Sequence, residues 1–414
     1  MLNEKTIEII KSTVPVLKEH GTTITTRFYE LLFSKNPDLL NIFNHVNQKQ
    51  GRQQTALANA VYAAAVHIDQ LEAILPAVKQ IAHKHRSLGV KAEHYPSVGE
   101  NLLQAIKDVL GDAATDEIIS AWADAYGVIA NVFISVENEM YEHAETQSGG
   151  WEGFRNFIVD RKVQESDVIT SFYLKPEDKK TISSYEAGQY ISVKLKAPGE
   201  QYEMIRQYSL SDSPNEQYYR ISVKREDAIG DKAEGMASTY LHNQVNVGDV
   251  LQISAPAGDF VLNTAKTNPV VLISGGVGLT PMVSMLHTLA EQQPEREVVF
   301  IHAAVNSKVH ALREEVAVLA EKPTIQSFVC YESPTEQDRL DQNFDKDGYI
   351  DKEWLKSIIS TIEADVYFCG PIPFMKAINE SLLDIGFKEE NIHFEFFGPK
   401  SDLSSSKNDL VTNR

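Results

Sequence analysis

A chain of 414 residues is longer than one hydrophobic core usually organises, so two or three domains are expected. With 43% apolar and 23% charged residues the composition is that of a globular protein, and a formal net charge of −19 argues against nucleic acid or an anionic membrane as the main partner. Two cysteines, Cys330 and Cys369, offer no disulfide framework and fit a reducing compartment. The start, MLNEKTIEIIK, is too charged for a signal peptide, and no apolar run approaches the roughly 20 residues of a membrane helix. A cytoplasmic protein without a membrane span is expected.

From Leu2 to about Thr146 the pattern is helical. Thr6, Ile9, Ile10, Val14 and Leu17 open a first helix expected to stop near Gly21, and Ile24, Phe28, Leu31 and Leu32 make a second. Leu57, Ala60, Val61, Ala64 and Ile68 make another, with Gln53 one turn before Leu57 on the same face. Pro76 suits a first helical turn; Val78, Ile81 and Ala82 follow at helical spacing, and His85 is next on their stripe. Ile118, Trp122, Ala125, Ile129, Val132 and Val136 mark a long last helix, on whose edge Tyr126, Phe133 and Glu137 point one way. Tyr29, Gln53, His85, Tyr95 and Glu137 are thus polar groups beside apolar stripes, and such groups need partners. Two readings follow: a core hydrogen-bond network, or a cofactor pocket with one histidine as ligand.

Residues 1–147 resemble the globin domain of flavohaemoglobins. The matching residues are Phe28-Tyr29, Asn36-Pro37, Ile42-Phe43, Gln53, Ala82-His83-Lys84-His85, Tyr95 and the run from Trp122 to Tyr141. The resemblance implies that His85 is the proximal ligand of a haem b iron and that Phe43 packs on the haem face. It makes Tyr29 and Gln53 the distal pair, Tyr95 and Glu137 the proximal network, and Lys84 a residue of the haem–flavin interface. The physics agrees, because a ligating histidine needs one ring nitrogen free and the other held by an acceptor. Glu137 can take that proton, directly or with Tyr95. A carboxylate there makes the imidazole electron-rich and favours O–O activation over reversible storage.

Gly149-Gly150 breaks the helical pattern and reads as a linker. Short alternating runs follow at Phe157–Val163, Val168–Leu174, Gln189–Leu195, Tyr218–Val223 and Val250–Ile253, separated by Pro and Gly, which suggests a closed barrel. In Arg206-Gln207-Tyr208-Ser209 the arginine offers a fork for a diphosphate, the tyrosine a ring to stack on a flavin, and the serine a hydroxyl for its edge. Gly235-Met236-Ala237-Ser238 opens a helical pattern whose backbone N–H groups and serine could hold a pyrophosphate. With Gly188-Gln189-Tyr190, these segments resemble the FAD-binding domain of the ferredoxin–NADP reductase type.

Pro269–Ile273 is an apolar strand, and Ser274-Gly275-Gly276-Val277-Gly278-Leu279-Thr280-Pro281 follows directly, before a helix from Met282 to about Glu291. Strand, glycine turn and helix N-terminus form a phosphate cradle. Pro281 stands where the dinucleotide fingerprint has its third glycine, a departure typical of that reductase superfamily. Val298–His302 and Val366–Cys369 alternate with helical stretches, as in a parallel sheet. Cys369-Gly370-Pro371 matches the superfamily motif beside the nicotinamide, and Glu395-Phe396-Phe397-Gly398-Pro399 its flavin-contacting terminus, with Phe397 over the ring system and Phe396 in place of a cysteine. Residues 401–414 are polar and Ser-rich, the composition of a disordered tail.

The fold expected is therefore multidomain: an all-α globin at 1–147, an antiparallel β-barrel FAD domain at 148–263 and an α/β parallel-sheet NAD(P)-binding domain at 264–400. The resemblance, in this order over residues 1–399, implies a nitric oxide dioxygenase that makes nitrate from NO, O2 and NAD(P)H. It implies hydride transfer to FAD, single-electron reduction of haem iron and reaction of haem-bound O2 with NO. A monomer is expected, with a lipid as one conceivable occupant of the haem pocket. The alternatives are a ferric, quinone or peroxide reductase with an accessory globin, and an oxygen-storing or oxygen-sensing globin. Ala303–Lys308 carries no clear selector between NADH and NADPH.

Overall fold

The structure, a computed structural model, describes residues 2–43, 48–228, 230 and 233–398. The chain forms two compact units. One runs to Arg155 and takes in Ser192–Gln207 and Gln252–Asp259; the other gathers Asn156–Ile191, Tyr208–Leu251 and the chain from Phe260 on.

The first third is helical. α1 (Glu4–Ser12) starts where the Asn3 side chain accepts the Thr6 N–H at 2.8 Å, a standard N-cap. It ends at Thr13 and not at Gly21, because Pro15 can stand only in the first turn of the next helix, α2 (Val14–Lys35). Gly21 lies buried within α2, where an added Cβ would be 3.4 Å from the Cβ of Ala58 on α3 (Arg52–Val66). This glycine marks a close helix approach, which the sequence pattern misread as a stop. α4 (Leu75–Leu88) has Pro76 in its first turn and ends at Gly89, whose φ of +81° is the left-handed C-terminal cap. α5 (Tyr95–Leu110) and α6 (Asp116–Thr146) follow, the latter capped by the Thr115 hydroxyl. Ile10, Ile24, Phe28, Leu32, Leu102 and Trp122 are part of the shared core.

Among the described residues α6 is long and apolar enough to cross a membrane, so the expectation that no apolar run approaches that length is corrected. Ala121, Trp122 and Ala125 of this helix are buried in the helical core, and the same helix buries the carboxylate of Glu137.

The middle of the chain builds a six-stranded sheet from β1 (Phe154–Gln164), β2 (Ile169–Pro176), β3 (Tyr190–Leu195), β4 (Met204–Ser209), β5 (Tyr219–Lys224) and β6 (Val250–Ser254). The order is β4-β3-β6-β1-β2-β5, with antiparallel pairing. Strand β4 is an edge strand whose polar run Arg206-Gln207 hides its alternation. A short helix, α7 (Met236–Asn243), precedes β6.

The last third is a parallel sheet of β7 (Val270–Gly275), β8 (Val298–Ala304), β9 (Ile325–Tyr331), β10 (Lys346–Asp347), β11 (Asp365–Cys369) and β12 (Ile392–Glu395) in the order β10-β9-β8-β7-β11-β12. Leu272 and Phe300 pack into one core with α8 (Leu279–Gln292) and α9 (Arg313–Leu319). Val271, Ile273, Val366 and Phe368 pack into a second, with α11 (Lys352–Ile358) and α12 (Ile372–Ile385); a short α10 (Glu336–Asp341) intervenes in sequence. Both sheet faces are covered, which is why the central strand β7 reads as an unbroken apolar run.

Candidate functional site

His85 stands in the last turn of α4 and Glu137 on α6. His85 Nδ1 lies 2.7 Å from Glu137 Oε1, and the Tyr95 hydroxyl donates to that same oxygen at 2.6 Å. The hydroxyl is also 3.4 Å from His85 Nδ1. Glu137 is only 2% exposed, so both bonds offset the cost of burying its carboxylate. Burial, and then the bond to Glu137, push the Tyr95 hydroxyl pKa far up, which keeps it a donor. Tyr126 donates to the Tyr95 carbonyl at 2.6 Å, and the Phe133 ring lies 6.1 Å from that of His85. Tyr126, Phe133 and Glu137 thus do face one way, onto His85 and Tyr95. No sequence pattern points to Gly99: a Cβ there would be 2.5 Å from the Tyr126 ring, so the glycine makes room for it.

Tyr29 on α2 is buried among Phe28, Phe33 and Phe43, with ring centroids 4.9, 5.6 and 5.7 Å away. Burial raises its pKa, so it carries its proton, and its hydroxyl makes no hydrogen bond among the described residues. Gln53 is in the first turn of α3, and its Oε1 is buried without a partner among the described residues. A histidine with one nitrogen held and the other left over, an aromatic wall and an unpaired buried amide oxygen fit a haem with a small polar ligand.

On β4, Arg206, Gln207 and Tyr208 are half-buried and Ser209 is buried. Arg206 Nη1 donates to the Ile205 carbonyl at 2.8 Å. Tyr190 is buried at the start of β3. Gly235 caps α7, where a Cβ would meet Ser238 Oγ at 2.8 Å and Glu226 Cβ at 2.9 Å. The Ser238 hydroxyl donates to the Gly235 carbonyl at 2.9 Å and accepts the Glu226 N–H at 3.1 Å. The hydroxyl therefore closes the turn, and the first-turn N–H groups around Ala237 are what the helix leaves for an anion.

β7 runs through Ser274 and Gly275 into the turn Gly276–Gly278 and then α8. Gly276 has a φ of +55° and nothing within 4 Å of an added Cβ; Gly278 would meet the Cys369 carbonyl at 2.2 Å. One glycine opens the turn and the other lets strand and helix pack. Pro281 falls in the first turn of α8, which starts at Leu279 and not at Met282, since no intrahelical N–H is needed there. The Thr280 hydroxyl donates to the Val277 carbonyl at 3.1 Å. Register places Ser274 opposite Cys369 on β11, and Cys369 opposite Glu395 on β12. These residues share the carboxyl ends of parallel strands, where open α/β sheets bind ligands. Cys369 is wholly buried, which drives its thiol pKa well up and excludes a thiolate at neutral pH. Gly370 packs on Phe374, and Pro371 caps α12. Phe396 packs in the core, edge-on to Phe394 at 5.6 Å; Phe397 is 49% exposed, and Gly398 follows with a φ of +150°. Pro399 and residues 401–414 lie outside the described residues.

Sequence reasoning missed His302 on β8. It is buried opposite Ser274 with Nδ1 2.8 Å from the Ser274 hydroxyl and Nε2 unpaired among the described residues. Only its alternation with apolar neighbours could have pointed to it.

A globin family model matches residues 26–133, an oxidoreductase FAD-binding domain model residues 156–262 and an oxidoreductase NAD-binding domain model residues 272–380. The chain is 62% identical over 404 residues to a flavohemoprotein of Bacillus thuringiensis subsp. konkukian, covering 97% of this chain and 100% of the relative. The chain belongs to the flavohemoprotein family. A solved flavohemoglobin from Malassezia yamatoensis, with bound FAD and heme, superposes with a TM-score of 0.82 at 30% identity, covering 96% of this chain and all of the other. The FAD/NAD-binding domain of a nitric oxide dioxygenase from Vibrio cholerae is 41% identical with a TM-score of 0.54, over 59% of this chain and 99% of its own. As a flavohemoprotein with all three domains, the chain is an NAD(P)H-dependent oxidoreductase with haem, FAD and a nicotinamide dinucleotide as cofactors.

Proposed function

We propose that this flavohemoprotein is a nitric oxide dioxygenase, forming nitrate from NO and O2 with electrons from NAD(P)H. The observation that carries the reading is the bond from the buried Glu137 carboxylate to His85 Nδ1 at 2.7 Å, shared with the Tyr95 hydroxyl. The bound cofactors supply the hydride and one-electron chemistry. His85 offers Nε2 to the iron, and Glu137 holds the proton of Nδ1, so the ring is an electron-rich ligand suited to activating O2 over carrying it. Phe43 packs against the haem. Tyr29 keeps its proton through burial and donates to a small ligand, and Gln53 offers the second polar group.

Arg206, Gln207, Tyr208, Ser209 and Tyr190 hold FAD, with the first-turn N–H groups of Ala237 and Ser238, after the turn at Gly235, on its diphosphate. Ser274 to Thr280 cradle the dinucleotide, while Cys369, Gly370 and Pro371 flank the nicotinamide. Glu395, Phe396, Phe397 and Gly398 lie toward the flavin, and Lys84 toward the boundary between flavin and haem. The Vibrio cholerae relative, named a nitric oxide dioxygenase, supports the choice of substrate. The test is nitrate formation from NO in air with NADH. Consumption of NADH that ignores NO identifies a reductase of another kind.

A further inference from the structure

The helix that carries His85 is bonded on either side of it to segments of the sheet domain. His83 Nδ1 accepts the Gly258 N–H at 3.3 Å. The Arg86 guanidinium donates to the Pro256 carbonyl. Ser87 Oγ accepts from Gln207 Nε2 at 3.2 Å and donates to the Lys84 carbonyl at 2.9 Å. All of these residues lie in the first compact unit. Two stretches are therefore tied to one helical turn: the segment after β6, and β4 with its flavin-side residues.

Arg86 stands out among the three contacts. It is 7% exposed, and a guanidinium is buried only where its donors are used. It also sits in the last turn of α4, where a cation offsets the negative end of the helix dipole. Loss of the side chain leaves the Pro256 carbonyl without this donor and opens a gap between helix and sheet. His85, one residue away, spends Nδ1 on Glu137 and so has no part in this contact.

We propose that Arg86 is a positioning residue for electron transfer: it sets the spacing of the His85 helix against the flavin-binding strand through the Pro256 segment. Electron transfer falls off exponentially with distance, so a small slackening of this contact slows the step without touching either redox centre. The inference needs electrons to pass from flavin to haem, as the proposed reaction does, but does not depend on NO as substrate.

The test is Arg86→Ala and Arg86→Lys in the full holoprotein, read by anaerobic stopped-flow with NADH. Flavin reduction is expected at the wild-type rate, with haem reduction slowed about tenfold or more in Arg86→Ala and partly restored in Arg86→Lys. The ferrous–CO spectrum is expected unchanged. Hydrogen exchange at the Gly258 amide is expected to speed up in Arg86→Ala, with and without cofactors. If Arg86→Ala does not fold, Arg86→Lys with Gly258 exchange carries the test alone: slower haem reduction with faster exchange supports the role. Haem reduction at the wild-type rate overturns it, and so does a slowing accompanied by an altered ferrous–CO spectrum. Absence of NO turnover in the wild type would reject the proposed function and leave this measurement intact.

Discussion

Glu137 accepts at one oxygen from both His85 and Tyr95, at 2.7 and 2.6 Å, from a helix that otherwise contributes apolar packing. One buried carboxylate thereby fixes the tautomer and angle of the imidazole and the rotamer of the phenol. Glu137→Gln keeps an acceptor but removes the charge. It should lower the iron–histidine stretching frequency in resonance Raman spectra and slow NO turnover about tenfold or more. An unchanged frequency would separate Glu137 from the basicity of His85.

Tyr29→Phe removes a hydroxyl that has no hydrogen-bond partner among the described residues. Stability should change by less than about 1 kcal/mol, since no internal bond is lost. Dissociation of O2, followed by flash photolysis or stopped-flow, should accelerate. Unchanged O2 kinetics would remove Tyr29 from ligand binding.

Gly278→Ala would bring a methyl group to 2.2 Å from the Cys369 carbonyl. The turn must shift away from β11, at a cost of roughly 1–3 kcal/mol. The flavin should stay bound, while its reduction by NADH should need higher NADH concentrations. A wild-type KM for NADH would argue against this turn as the cradle.

An ion network around the buried Arg220 ties β5 to α8 and α9. Arg220 is bidentate to Glu315 at 2.7 and 2.8 Å, and His287 bonds to the same carboxylate. Burial alone would raise the Glu315 pKa, but His287 and Arg220 bring it down to about 2. A lowered carboxylate pKa contributes stability that is present above the unfolded value, near 4.3, and is lost as pH falls through the folded value. Unfolding free energies from urea titration should therefore favour the wild type over Glu315→Gln at pH 7, by an amount on the order of 3 kcal/mol. The gap should close between about pH 4 and pH 2. A gap independent of pH would mean that packing, and not the charge, explains the loss.

The parts of the fold legible in sequence were those with clean periodicity. His85 fell on the stripe of Val78, Ile81 and Ala82, and α4 holds it there. The apolar run at 269–273 became β7 because a sheet covered on both faces leaves no polar alternation to blur it. Gly21 misled because close helix packing and helix termination both select glycine, and only the neighbour Ala58 tells them apart. Strand β4 hid behind its polar residues. The bonds of His83, Arg86 and Ser87 to Gly258, Pro256 and Gln207 span 120 to 175 positions, a separation no local pattern records.

Nitric oxide dioxygenation is tested most directly by the nitrate yield of the purified holoprotein mixed with NO in air-saturated buffer and NADH, compared with His85→Ala. The wild type should convert the NO consumed to nitrate. His85→Ala should form none, while its flavin is still reduced by NADH. Nitrate formation at the wild-type rate in His85→Ala would rule out His85 as the haem ligand, and NADH oxidation by the wild type without nitrate would rule out the dioxygenase activity.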